Sequence, residues 1–265
     1  MALRQFLKWD AFVLQQQAKQ LSAVKAFSLF VASVVGLRAI TWLLMSSKVF
    51  YAWTRAHHDL YVAGFYALQL LMNAGLVMWL VRRYSAALFA PRPTSDWRVY
   101  LAVVAIALPF LLYEGSKVLR HSSAVISLAT LKPENVEGMM SQVWGAMVGG
   151  YTIWHVAYAT TAIFVVVALE EIVFTGLILN RLSRRLWLGV AMVACAMLFA
   201  AAHFFSIMTY VTENLPKLLW LSLTSQAIRL VSGRLELSIA CHVVANMLVS
   251  TPKWVLAYIY FAGSR

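Results

Sequence analysis

The chain has 265 residues, of which 62% are hydrophobic and only 12% are charged. Soluble domains contain about 45–50% apolar and about 25% charged residues, so a water-soluble globule of this size has too little interior for so much apolar surface. The composition therefore excludes a soluble enzyme, a disordered chain and a disulfide-stabilised scaffold, and it predicts an integral membrane protein.

The chain is strongly basic, with a net charge of +12 from 22 Lys and Arg against 10 Asp and Glu. In membrane proteins such an excess usually lies in cytoplasmic loops. The basic residues are spread over short connectors with no separate basic domain, which argues against a nucleic-acid partner. Cys195 and Cys241 lie inside apolar runs and are interpreted as small buried thiols.

A basic amphipathic stretch opens the sequence, and long apolar windows follow it. Residues 1–25 intersperse Lys and Arg with large apolar side chains, which predicts an interfacial helix leading into the first span. Seven windows have roughly the length that crosses a bilayer: Ala26–Met45, Leu60–Val81, Val99–Leu119, Tyr151–Leu179, Leu186–Ile207, Leu215–Val231 and Leu235–Ser250. Residues 254–262 form a partial eighth window, and residues 121–150 are interpreted as a span, a re-entrant segment or an interfacial helix.

These windows predict an all-α fold: a polytopic transmembrane helix bundle of seven or eight spans around a central polar cavity. With no repeat and no linker, residues 1–265 are expected to form one integral-membrane domain. Four arginines lie between residues 82 and 98 and three between residues 181 and 185. Under strict alternation these fall on one side with the basic N-terminus, so we predict a multi-pass protein of the inner (plasma) membrane with a cytoplasmic N-terminus.

Polar residues interrupt the late windows at three places: Glu170-Glu171, Phe199-xxx-His203 and His242-xxx-Asn246. Ionisable groups are costly in lipid and usually face a cavity or one another. In the second and third clusters the two residues are four apart and share a helix face. The two glutamates point about 100° apart around a helix, so they cannot do the same job.

These residue types suit hydrolysis of an amide bond inside the membrane. A carboxylate held away from bulk water can take a proton from water and return it to a leaving amine. A histidine can orient that water, and a second histidine with an asparagine offers donors for an oxyanion. A single polar pair in a span is more commonly a helix–helix hydrogen bond, but adjacent carboxylates need two sets of partners.

At these residues the chain resembles the CAAX protease and bacteriocin-processing family of intramembrane glutamic proteases, which includes the Rce1-type prenyl-protein endopeptidases. That family's pattern is Glu-Glu-xxx-Arg, then Phe-xxx-His, then His-xxx-Asn, in this order on separate helices. The likeness covers roughly residues 165–250, which we expect to be the catalytic core. No recognisable pattern extends into the first half of the chain.

The resemblance implies a role for each motif residue. Glu170 would be the general base that activates water, assisted by His203. His242 and Asn246 would hold the oxyanion, and Glu171 would support the site. Phe199, as part of the second motif, would be a further supporting residue.

The resemblance also implies no required metal or cofactor, and about eight transmembrane helices around a cavity. The expected partners are the lipid bilayer and a protein or peptide with an apolar or lipidated segment. Such a segment would be a C-terminal CAAX-like or sorting tail, or a leader peptide.

One position departs from the family pattern, because Thr175 stands where the motif has Arg. Glu171 must then be protonated, solvated by cavity water, or paired with a residue of another helix such as Arg229 or Arg38. Counting helical rise adds a second difficulty, since it places His203 roughly 10 Å or more deeper in the membrane than Glu170 and His242.

Two other functions are compatible with the same residues. Glu170, His203 and His242 are also zinc-ligand types, so a zinc-dependent membrane protease is the alternative enzyme. A catalytically inactive scaffold, regulatory or immunity protein is the alternative without catalysis, and Thr175 favours it.

Several other polar residues are interpreted as structural. His57-His58-Asp59 is expected to be a hydrated loop, and His155 an interfacial or core histidine. Inter-helix pairing is expected for three residues within spans, which are Arg38, Asn73 and Glu114.

Overall fold

The computed structural model describes residues 21–89, 97–129, 153–204 and 211–263. Within these ranges the chain is helical and contains no strand, which confirms the all-α prediction. The elements are α1 (Ala23–Met45), α2 (Lys48–Ala56), α3 (His58–Leu88), α4 (Trp97–Ala129), α5 (Ile153–Glu170), a π-helical segment (Glu171–Ile178), α6 (Leu179–Leu182), α7 (Leu188–Phe204), α8 (Val211–Ser232) and α9 (Leu235–Gly263). Most of the interfacial helix predicted over residues 1–25, and residues 130–150 of the ambiguous stretch, lie outside the described residues.

The described helices form an all-α membrane bundle. By length and composition, three of them can cross a bilayer, over Leu60–Leu88, Trp97–Lys117 and Thr161–Leu182. Three further apolar stretches among the described residues are shorter, over Ala23–Ser33, Leu188–His203 and Leu235–Val249. The count of seven or eight spans stays a prediction.

The span that carries the two glutamates lies at the centre of the bundle. In Thr161–Leu182, 78% of the most apolar window is buried, against 17% in each of the other two long spans. The π-helical segment, whose side chains are all buried, packs against α1, α3, α7, α8 and α9. A helix surrounded in this way has no face left for lipid, so its polar groups must be satisfied by neighbouring helices.

Aromatic packing holds the π-helical segment against its neighbours. The ring of Phe174 meets the rings of Phe30 in α1 and Phe199 in α7 edge-on, at centroid distances of 5.1 and 5.3 Å. Aromatic pairs favour this geometry. Phe174 therefore joins α1 to α7, the helix that carries His203.

Two glycines permit close approaches that bring α3, α8 and α9 to this centre. Gly233, with φ 68°, makes the left-handed turn between α8 and α9, a conformation that glycine adopts without strain. Beside that turn, Arg234 forms an isolated backbone bridge with Phe89 at the end of α3. At Gly176, an added Cβ would lie 2.6 Å from Cδ2 of Leu88 in α3.

We expect Gly176→Ala to lower the free energy of unfolding by about 1 kcal/mol, because the new methyl overpacks the contact with the buried Leu88. Thermal unfolding in detergent measures the loss. Adding Leu88→Ala should make the two effects less than additive, because the residues are in contact. Gly75→Ala is the matched control, since a Cβ there meets nothing within 4 Å; an equal loss in the control would contradict the overpacking argument.

Candidate active site

Three helical elements bring the predicted acid and imidazole groups together. Glu170 is the last residue of α5, His203 lies in the last turn of α7, and His242 lies near the start of α9. Oε1 of Glu170 is 3.5 Å from Nε2 of His203, and Oε2 of Glu170 is 3.6 Å from Nε2 of His242. Each oxygen of one carboxylate thus faces an imidazole from a different helix.

Glu171 points to the interior side of the same cluster. Its Oε1 lies 2.7 Å from Nδ1 of His242, and its Oε2 accepts a hydrogen bond of 2.6 Å from Oγ of Ser238. The side chain of Thr175 makes a further hydrogen bond to this carboxylate. His242 therefore bridges the two glutamates, with one ring nitrogen towards each of them.

These contacts change the expectation for Glu171. Of the three possibilities left by Thr175, the structure shows partners from other helices: Ser238 and His242 of α9 contact the carboxylate, and the charge of Arg229 in α8 interacts with it. Sequence reasoning missed Ser238. Its signal was present, because Ser238 lies one turn before His242 and shares its helix face.

Phe199 positions the second imidazole. Nδ1 of His203 lies 2.9 Å from the backbone oxygen of Phe199, one turn earlier in α7. The Phe199 ring has its centroid 4.4 Å from that of His203 and 5.9 Å from that of His242. The buried aromatic ring thus contacts both imidazoles, and the carbonyl holds one of them in a fixed orientation.

Asn246 makes no hydrogen bond to the cluster among the described residues. It lies one helical turn beyond His242 in α9 and is partly buried. Among the described residues it makes no hydrogen bond to either glutamate or to either imidazole. The structure therefore places it beside the cluster without joining it to the polar network.

The depth difference predicted for His203 is wrong. Counting rise along each helix put His203 about 10 Å deeper than Glu170, yet their side chains are 3.5 Å apart. Part of the reason is that α7 begins at Leu188, later than the predicted Leu186. The rest follows from packing, because a rise count treats all helices as parallel to one axis.

The buried side chain of Arg229 stabilises the backbone of the π-helical segment. Arg229 of α8 is 1% exposed, and its guanidinium donates to the backbone oxygen of Thr175 and, at 3.1 Å, to that of Ala87. Asn180 donates to the same Ala87 oxygen at 3.0 Å. The charge of Arg229 also interacts with that of Glu171, so one side chain joins α3, α8 and the segment that carries the glutamate.

Other residues singled out in the sequence lie away from this cluster or outside what the structure describes. Glu114 of α4 pairs with Lys217 of α8 at 2.9 Å, an inter-helix contact of the expected kind, and Asn73 is buried. The loop expected at His57-His58-Asp59 is wrong, because α3 begins at His58 and His57 alone separates it from α2. The side chains of Arg38, His58, Asp59 and His155 lie outside the described part. Within that part, no three His, Cys, Asp or Glu side chains are grouped as metal ligands are.

We expect Arg229→Gln to destabilise the fold by about 3 kcal/mol, because it removes the charge that interacts with buried Glu171, removes the donor to the Thr175 oxygen and leaves the Ala87 oxygen with Asn180 alone. Thermal unfolding in detergent measures the change. Arg185→Gln is the matched control, since Arg185 is exposed in the turn before α7. Equal melting temperatures for the two variants would show that the Arg229 contacts contribute little.

The comparison with protein families agrees with the motifs. Residues 152–248 match the family described as type II CAAX prenyl endopeptidase Rce1-like. No curated protein and no solved structure matches the chain. The match spans all three motifs, and the resemblance is thereby confirmed: the region that carries the Glu170, His203 and His242 cluster is similar to the Rce1-like CAAX endopeptidases.

Proposed function

We propose that this membrane protein is an intramembrane endopeptidase that hydrolyses a peptide bond with water activated by Glu170. One observation carries the proposal. A carboxylate on one central helix is faced by the imidazoles of two other helices, at 3.5 and 3.6 Å. A cluster of this kind inside a bundle has the groups that a general acid–base hydrolysis needs.

The proposed reaction assigns a role to each of the four motif residues Glu170, His203, His242 and Asn246. Glu170, with His203 beside it, takes a proton from water while the water oxygen bonds to the carbonyl carbon. His242 and Asn246, on one face of α9, are proposed to stabilise the oxyanion that forms. When the C–N bond breaks, the oxyanion electrons restore the C=O bond and the leaving amine nitrogen receives the proton.

Exposure indicates the side from which a substrate reaches the cluster. The His203 side chain is 25% exposed, whereas that of His242 is 2% exposed. Because only the open side leaves room for a peptide, we place the scissile bond between Glu170 and the end of α7, with His242 at the inner wall.

The proposed substrate is a membrane-associated protein or peptide with an apolar or lipidated segment next to the cleaved bond. A segment of this kind can enter sideways from lipid, where a soluble peptide is disfavoured. A C-terminal CAAX-like or sorting tail and a leader peptide both fit this description. The inner membrane and a cytoplasmic N-terminus remain part of the proposal.

Glu170→Gln should abolish cleavage, because the amide keeps the size of the side chain but cannot accept a proton from water. The measurement compares new peptide termini, by mass spectrometry, in membrane and exported proteins from cells with either form. Glu236→Gln is the matched control, since Glu236 is exposed in the first turn of α9.

Termini present with wild type and with the Glu236 variant, but missing with Glu170→Gln, would support the peptidase and identify its substrate. The inactive scaffold makes the opposite prediction. If wild type, Glu236→Gln and Glu170→Gln all give the same peptide termini, the peptidase is refuted. Any change in phenotype with Glu170→Gln would then follow from a change in the amount of this protein in the membrane.

A strong chelator should leave cleavage by the purified protein in detergent unchanged, because the proposed water activation uses a carboxylate and imidazoles alone. The rate of release of the peptide identified above, before and after chelation and dialysis, measures this. A loss of activity that zinc restores would favour the zinc-dependent alternative, in which Glu170, His203 and His242 are ligands.

A further inference from the structure

We infer that Glu171 is a positioning residue that fixes the tautomer of His242, so that Nε2 of His242 is a proton acceptor facing Glu170. The inference deepens the proposed peptidase function and rests on it for its chemistry. It assigns to His242 a proton-carrying step that precedes any donation to an oxyanion. The groups around each imidazole determine which of its ring nitrogens carries hydrogen.

The partner of Nδ1 determines the tautomer of His203. That partner is the backbone oxygen of Phe199, at 2.9 Å, and a carbonyl oxygen can only accept a hydrogen bond. Nδ1 of His203 therefore carries hydrogen. In the neutral ring Nε2 then holds a lone pair, and this lone pair is directed at Oε1 of Glu170.

An ionised Glu171 can only accept hydrogen bonds, so it requires hydrogen on Nδ1 of His242. The contacts of Glu171 favour this ionised form. Oε2 lies 2.6 Å from Oγ of Ser238, whereas the Ser225 oxygen is 3.1 Å from the same hydroxyl, so the shorter contact takes the Ser238 proton. The nearby positive charge of Arg229 acts in the same direction. Oε1 then accepts from Nδ1–H of His242 at 2.7 Å, which again leaves Nε2 with a lone pair.

The Nε2 lone pairs of His203 and His242 consequently both face the Glu170 carboxylate. Nε2 of His203 and Nε2 of His242 each lie about 3.5 Å from a Glu170 oxygen. Three acceptors cannot satisfy one another, so the site must hold a proton or a donating water between them. A neutral His242 also cannot donate to an oxyanion, because its only N–H already points at Glu171.

The reaction then runs with one travelling proton. Water attacks the carbonyl carbon, the C–O bond forms, and the proton that water loses passes through Glu170 to Nε2 of His242. The resulting imidazolium lies against the Glu171 carboxylate and donates Nε2–H to the oxyanion. When the C–N bond breaks, the proton returns through Glu170 to the amine nitrogen, and the ring becomes neutral again.

Solid-state NMR of protein labelled with ¹⁵N-histidine in lipid bilayers tests the tautomer without any substrate. His242→Gln assigns the two His242 signals by their loss, and His57→Gln is the matched control at an exposed histidine. In the neutral ring of the wild type, we expect Nδ1 of His242 to carry hydrogen and Nε2 to carry none. In Glu171→Gln, whose amide can also donate, we expect a mixture of both tautomers.

A neutral His242 ring without hydrogen on Nδ1 in the wild type, or an unchanged tautomer in Glu171→Gln, would overturn the inference. Because this arm needs no cleavage, its failure is distinct from a failure of the peptidase proposal, which the wild-type protein would show by releasing no peptide.

A kinetic arm separates a proton acceptor from a simple hydrogen-bond donor. In His242→Gln the amide can still donate to an oxyanion but cannot carry the proton. We expect kcat to fall by about a hundredfold with KM nearly unchanged, and a fall of less than about tenfold would overturn the inference. Melting temperatures close to that of the wild type are required of each variant compared.

Discussion

Two adjacent carboxylates are buried in a helix that other helices surround, and this constraint governs the rest of the structure. A charge in such a place is tolerated only when neighbouring groups donate hydrogen bonds to it. Because successive residues of a helix point in different directions, Glu170 and Glu171 need two separate sets of partners. Helices α7 and α9 supply both sets of partners: His203 of α7 and His242 of α9 face Glu170, and His242 and Ser238 of α9 contact Glu171. A polar cluster therefore lies inside an otherwise apolar bundle.

The two glutamates have different surroundings, and we therefore assign them different roles. Glu171 is enclosed by a hydroxyl and a ring nitrogen at hydrogen-bond distance, which leaves it no room for substrate. Glu170 faces two ring nitrogens at 3.5 and 3.6 Å, which are longer contacts than those of Glu171, and it lies beside the partly exposed His203. We therefore interpret Glu171 as the anchor of the site and Glu170 as its reactive group.

The π-helical segment links this chemistry to the packing of the fold. It starts at Glu171 and places Gly176 against α3 and Arg229. Single π turns inside α-helices often occur at functional sites, because the extra residue redirects side chains. Arg229, bonded to backbone oxygens of this segment and of α3, holds the turn in register. The orientation of the Glu171 side chain towards α9 thus depends on the Arg229 hydrogen bonds, which lie outside the cluster.

The sequence by itself determined the membrane class, the helical fold and the three polar motifs, because composition and spacing along one helix are local properties. It also pointed to a site shared by Glu170, His203 and His242. Only the tertiary structure decided that His242 lies between the two glutamates, that Ser238 completes the shell of Glu171, and that Arg229 bonds the backbone. These contacts join helices that are far apart in the chain. Their geometry depends on the tilt of the helices, on the π-helical segment and on the close approach of α3 at Gly176. None of these can be calculated from residue spacing, because each is set by how whole helices pack against one another.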